Sequence, residues 1–69
     1  MQIRDRVRIK SMPVMNKNVI VGDTGRIIAY THNIVGVEID RNIEGHSCDG
    51  VGKQGHCTWI SKKHLEKID

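Results

Sequence analysis

The chain has 69 residues, of which 38% are hydrophobic and 28% are charged, and its formal net charge is +3 at pH 7. This length predicts one small domain, residues 1–69, which buries only about 60% of its unfolded surface and leaves little room for the cleft of an active site. No apolar run approaches the roughly 18 residues that span a bilayer, and the N-terminus lacks the apolar stretch of a signal peptide, so we expect a protein of the cytoplasm.

Branched apolar residues dominate the composition. Ile and Val together contribute 17 residues, against one Leu, one Ala and no Phe. Branching at Cβ disfavours helices and suits a pleated sheet. The composition therefore predicts an all-β fold.

The first strand is predicted over residues 3–10, which alternate with period two. Val7 and Ile9 fall on one face. The other face carries a basic row of four cations: Arg4, Arg6, Arg8 and Lys10. We expect the first face to lie in the core and the basic row in solvent. Residues 11–18, which include Pro13, are predicted to form a loop.

Two further strands follow a glycine-rich turn, over residues 26–31 and 34–39. Because Asn33 lies in the short gap between them, we expect a hairpin. The predicted core gathers one set of inward-facing side chains: Val7, Ile9, Ile27, Val35, Val37, Ile39 and Trp59.

The end of the chain predicts a strand at 57–60, one helical turn at 61–65 and a last strand at 66–68. The last strand is expected to pair with the first if the sheet curls round. Five short strands with a single helical turn before the last predict a small SH3-like barrel.

Periodicity is lost between residues 40 and 56, a segment that we call the long loop. It is rich in Gly and His, contains one of the two cysteines and ends beside the other. A connection of this length is either held by its own contacts or mobile.

Four candidate metal ligands lie in or beside the long loop: His46, Cys48, His56 and Cys57. Two thiolates and two imidazoles suit a structural zinc ion, which would stabilise so small a chain. There is no Cys-x-x-Cys pair, however, and neighbours such as His56 and Cys57 point to opposite faces of a strand. The sequence leaves open reduced packed thiols, a zinc site and a disulfide, and it favours the reduced thiols.

Catalysis is not predicted, although cysteine and histidine stand side by side. A cysteine nucleophile needs an imidazole within hydrogen-bond reach and usually a third group that orients it. The sequence supplies these residue types without an arrangement that requires them to meet. We therefore expect a protein that is not an enzyme.

Charge is distributed unevenly, with a basic first half, an acidic stretch over residues 32–49 and a basic end. The basic row could follow a phosphate backbone, or it could protect an edge strand with Glu38 or Glu66 as a cross-strand partner. A protein partner is the favoured prediction and nucleic acid is the alternative. The predicted contact residues are Arg4, Arg6, Arg8, Lys10, Asn42, Glu44 and Lys53.

Five segments carry a resemblance to a known family: residues 4–9, 22–27, 36–40, 45–60 and 65–68. They resemble small SH3-like proteins encoded by bacteriophages and prophages, and the resemblance covers nearly the whole chain. It implies a barrel and a phage context, in the cytoplasm of an infected bacterium. In that context we expect a monomeric or homodimeric module that binds a host or viral protein, and inhibition or redirection of that protein is the hypothesis for its effect. The resemblance implies no catalytic residue.

Overall fold

Five strands form a single antiparallel sheet in the computed structural model, which describes residues 1–12 and 14–68. The elements in chain order are β1 (Arg6–Ile9), β2 (Thr24–Tyr30), β3 (Ile34–Ile39), β4 (Cys57–Ser61), a 3-10 turn (Lys62–His64) and β5 (Leu65–Lys67). The strand order across the sheet is β4-β3-β2-β1-β5. The predicted fold class, a small all-β SH3-like barrel with one helical turn before the last strand, is confirmed. Within the described ranges, no helix is long and apolar enough to cross a membrane.

The first strand is shorter than predicted, and Pro13 of the predicted 11–18 loop lies outside the described residues. Arg4 precedes β1 in a turn, with a φ of 77°, and its backbone N–H donates to the carbonyl of Ile27 at 2.6 Å. Arg4 therefore stands apart from the alternation that continues through Arg6 and Arg8. The predicted pairing of the first and last strands is confirmed, since Arg8 lies opposite Glu66.

The core lies on the inner face of the sheet and follows from the alternation of apolar side chains. It consists of Val7, Ile9, Val19, Ile27, Val35, Val37, Ile39, Ile43, Ile60 and Leu65. Each of these residues is at most 2% exposed. Six of the seven predicted core residues are confirmed. Val19 and Ile43 join them from the connecting segments, where no periodicity pointed to them.

Trp59 is the predicted core residue that the structure places elsewhere. Strand β4 pairs with β3 so that Ile60 lies opposite Val35 and Trp59 lies opposite Gly36. Because alternate residues of a strand face opposite sides, the burial of Val35 and Ile60 in the core directs Trp59 outward. The prediction that Trp59 points into the core is wrong; its side chain is half-buried on the outer face.

The Ile27 side chain tests the inner core because it is fully buried. We expect Ile27→Val to lower the free energy of unfolding by about 1 kcal/mol and Ile27→Ala to lower it by about 2 to 5 kcal/mol, through lost burial and a cavity. Ile20→Ala is the matched control, since Ile20 is 59% exposed, and it should change stability by less than about 0.5 kcal/mol. Urea unfolding followed by circular dichroism measures all three. Equal losses for Ile27→Ala and Ile20→Ala would contradict this core.

Candidate functional site

The long loop is fastened to the sheet by backbone hydrogen bonds. His46 and Cys57 form a pair in which each N–H donates to the other carbonyl, at 2.9 and 3.0 Å. The Ile43 N–H donates to the carbonyl of Gly55 at 2.9 Å, and the Ile43 side chain enters the core. Of the two states left open by the sequence, the structure shows a loop that is held by its own contacts.

The long loop also covers the outer face of the sheet, where Ala29, Gly36, Cys48, Cys57 and Trp59 form what we call the outer cluster. A Cβ atom at Gly36 would lie 3.0 Å from the Cys48 sulfur and 3.3 Å from Cζ3 of Trp59. The same atom would lie 3.1 Å from Cβ of Ala29. Only a glycine at position 36 therefore lets Cys48 approach the sheet this closely without displacing its neighbours.

The two cysteines of the outer cluster are free thiols, and both are buried. The Cys57 thiol donates to the carbonyl of Lys53 at 3.4 Å. Burial, reinforced by the adjacent Cys57 thiol, raises the pKa of Cys48 to about 12. Burial also raises the pKa of Cys57. Both thiols therefore stay protonated at neutral pH, which keeps them poor nucleophiles.

The structure brings together two of the four predicted zinc ligands, Cys48 and Cys57. The ring of His46 accepts at Nδ1 from the backbone N–H of Cys48, at 2.9 Å. The ring of His56 donates from Nδ1 to the carbonyl of Ile39, also at 2.9 Å. Across residues 1–12 and 14–68, no three His, Cys, Asp or Glu side chains form a group that could hold a metal ion. Zinc at these four residues stays a prediction.

Two members of the basic row, Arg6 and Arg8, are compensated by carboxylates. Both terminal nitrogens of Arg6 donate to the two carboxylate oxygens of Asp40, at 2.8 and 2.7 Å. Arg8 lies 3.6 Å from Glu66 on the neighbouring strand, which is one of the two predicted cross-strand partners. The other predicted partner, Glu38, pairs with Arg26 on β2 instead, at 3.4 Å.

Three further predicted contact residues form local hydrogen bonds, Asn42 through its side chain and Lys53 and Lys10 through their backbone amides. The Asn42 side chain accepts from the backbone N–H of Glu44 at 2.8 Å, so it shapes the turn. Lys53 is exposed, and its backbone N–H donates to Glu38 at 3.0 Å. Lys10 is also exposed, and its backbone N–H donates to the carbonyl of His64 at 2.8 Å. This bond places Lys10 beside the 3-10 turn, which contains His64.

Glu44 differs from most acidic residues of the chain. It accepts one hydrogen bond from the Asn18 amide, at 3.3 Å. Asp23, for example, is paired with Arg41 at 2.8 Å. Among the carboxylates that the structure describes, only those of Glu44 and Asp49 form no ion pair.

Two adjoining depressions, each of about 350 Å³, meet at Trp59 and Met15; together they form what we call the Trp59 groove. The first is lined by apolar side chains that include Val14, Ile34 and Ile60. The second is more polar, and its lining includes Glu44, His46 and Thr58. Glu44 is thus the one predicted contact residue that lines the groove.

Sequence reasoning missed Met15 and Ile34 as groove residues. Met15 is 88% exposed and Ile34 is 44% exposed. Met15 follows Val14, which packs against the core, and no periodicity in this segment distinguishes the buried residue from the exposed one. The exposed position of Ile34 at the start of β3 could have been found, since it falls out of phase with Val35 and Val37.

Comparison of the chain with protein-family models, with curated proteins and with solved structures gives no match. The resemblance to SH3-like phage proteins therefore stays a prediction. The fold and the candidate site rest on the geometry of this chain.

The ion pair between Arg6 and Asp40 gives a pH test of the compensated basic row. Hydrogen bonds from Arg6, the largest cause, lower the pKa of Asp40 to about 2 from its usual 3.8. A lowered folded-state pKa means that the pair stabilises the fold above pH 3.8 and that this contribution is lost as the pH falls toward 2. We expect Asp40→Asn to cost no more than about 1 kcal/mol at pH 7, because the pair is largely exposed.

The measurement is the difference in urea-unfolding free energy between wild type and Asp40→Asn across this pH range. The difference should shrink toward zero as the pH falls. Asp49→Asn is the control, since Asp49 forms no ion pair with the described residues, and its difference should stay flat. A difference in unfolding free energy between wild type and Asp40→Asn that does not change with pH would contradict the pairing.

Proposed function

We propose that this chain is a non-enzymatic binding module of phage type, which engages a host or viral protein in the bacterial cytoplasm and inhibits or redirects it. The observation that carries the proposal is the Trp59 groove, where an aromatic side chain and an exposed methionine stand beside a carboxylate that has no ion-pair partner among the described residues. Such a combination of apolar and charged groups suits a protein surface better than a small substrate.

The apolar half of the groove supplies the binding energy in this proposal. Trp59 is half-buried and held against Gly36, so it offers a large surface that loses little side-chain entropy when it is covered. Met15 is 88% exposed, and its unbranched, polarizable side chain adapts to the shape of a partner. Aromatic side chains and methionine are enriched in protein interfaces for these reasons.

The polar half of the groove sets the chemistry of the partner. Glu44 lines this half and forms no ion pair within residues 1–12 and 14–68, so a cation on the partner would complete it. We therefore expect a segment in which an apolar side chain, which fits beside Trp59 and Met15, stands next to a Lys or Arg that faces Glu44. Charge complementarity of this kind contributes more to specificity and association rate than to affinity.

The basic row has a secondary part in this proposal. Arg6 and Arg8 already have carboxylate partners, and a new partner would have to displace them. Lys53 is exposed and is free to steer an acidic surface toward the molecule. The basic row and Lys53 together therefore affect how fast a partner arrives more than which partner binds.

Nucleic acid is the second candidate, and one observation favours it. Arg4 and Arg26 line the same depression of about 300 Å³ on the outer face, where two guanidinium groups could contact phosphate. One observation is against it. Bases stack on aromatic rings, the chain has two such residues, Tyr30 and Trp59, and Lys62 lies 4.2 Å over the ring of Tyr30.

A random peptide library panned against the purified chain tests the proposal without knowledge of the natural partner. Wild type should enrich peptides with an apolar residue next to Lys or Arg. Glu44→Lys should reverse the charge preference toward Asp and Glu, because the cation of the peptide would then face a cation. Met15→Asp should abolish enrichment without loss of the fold, because this side chain is almost fully exposed.

Asp49→Lys is the matched control, since it makes the same charge change on the long loop at a residue that does not line the groove, and it should leave the preference unchanged. Equal preferences for wild type and Glu44→Lys would overturn the assignment of the groove. Absence of enrichment, together with salt-sensitive retention on heparin, would favour nucleic acid instead.

A further inference from the structure

Both cysteines of the chain are buried at the junction between the long loop and the sheet. Cys57 is the first residue of β4, and Cys48 lies in the turn that covers the outer face. The two backbone hydrogen bonds between His46 and Cys57 hold this turn beside the strand, and Cys48 is two residues from His46. Both thiols are buried, and the Cys48 sulfur lies 3.0 Å from the position that a Gly36 Cβ would take on β3, the strand next to β4.

We propose that Cys48 and Cys57 form a reversible disulfide when the protein meets a small disulfide oxidant, and that the bond fastens the long loop to the sheet. The backbone pair of His46 and Cys57 already holds the turn that carries Cys48 beside the first residue of β4, and both thiols are buried there. The loop therefore needs only a local adjustment to form the bond, and the β3–β4 pairing is retained.

The reaction is a pair of thiol–disulfide exchanges. The thiolate of Cys48 attacks one sulfur of the oxidant, forms a mixed disulfide and releases the first small thiolate, which takes up the proton lost by Cys48. The thiolate of Cys57 then attacks the Cys48 sulfur and releases the second small thiolate, which takes up the proton lost by Cys57. The protein loses two electrons and two protons, and the oxidant is reduced to two thiols.

Cys48 reacts first because of where it lies. Cys57 is held in β4 with its thiol donating to Lys53, whereas Cys48 belongs to a turn whose neighbours Asp49 and Gly50 are exposed. When this turn lifts from the sheet, Cys48 meets water and loses the burial that keeps it protonated. Oxidation is therefore slow in the closed state and is limited by local opening of the loop.

Trp59 reports on the reaction. Its ring and the Cys48 sulfur both lie within 3.3 Å of the position that a Gly36 Cβ would take. Disulfides quench the fluorescence of a neighbouring indole, and the chain contains one tryptophan. Formation of the bond should therefore lower Trp59 emission.

The experiment incubates the reduced full chain with mixtures of oxidised and reduced glutathione, natively and in concentrated urea. The native chain should lose the mass of two hydrogen atoms and show weaker Trp59 emission, and dithiothreitol should reverse both changes. Because the fold holds the thiols together, half-oxidation should need about tenfold less oxidised glutathione in the native chain than in urea. The oxidised form should melt at a higher temperature.

Cys48→Ser and Cys57→Ser are matched variants that should stop at a single glutathione adduct. Wild type that stops at such an adduct, or that links two chains instead of closing internally, would overturn the proposal. So would native half-oxidation that needs more oxidised glutathione than in urea, a result that can be obtained even if both serine variants fail to fold.

Discussion

The structure depends on the contact between the long loop and both faces of the sheet. Ile43 leaves the loop to complete the inner core, and a few residues later Cys48 closes over Gly36 on the outer face. A chain of 69 residues has too little apolar surface for one large core. Covering the second face with the loop adds burial that five short strands alone would not provide. The half-burial of Trp59, the groove beside it and the burial of both thiols all follow from this placement.

The same placement separates two kinds of charge. Glu66 on β5 and Asp40 at the start of the long loop have cation partners, Arg8 and Arg6 of the basic row. Further along the long loop, Glu44 and Asp49 have no ion-pair partner among the described residues. Glu44 also lines the groove beside Trp59. Unpaired charge and exposed apolar surface therefore meet at one edge of the molecule, where a partner could use both.

Much of the fold could be predicted because period-two burial is a local signal. Val7, Ile9, Val35, Val37 and Ile39 alternate with small or polar residues, and each faces the core as expected. Trp59 could not be assigned in this way, because Thr58 and Ile60 compete with Cys57 and Trp59 for the inner face. Only the register against Val35 decides between these two sets. The contributions of Val19 and Ile43 were hidden because burial from an irregular segment has no period. The site was predicted less well, since ion pairs such as Arg6 with Asp40 join residues far apart in the sequence.

Native-state hydrogen exchange at single-residue resolution tests the central contact most directly. The amides of Asp40 and His46 donate to Thr24 of β2 and to Cys57 of β4, and they exchange only when the long loop leaves the sheet. Our account predicts that they exchange within about tenfold of the amides in β3, as parts of one cooperative unit. Exchange at the rate of an unstructured peptide, while the β3 amides stay protected, would show that the loop is not fastened to the sheet and would contradict the account.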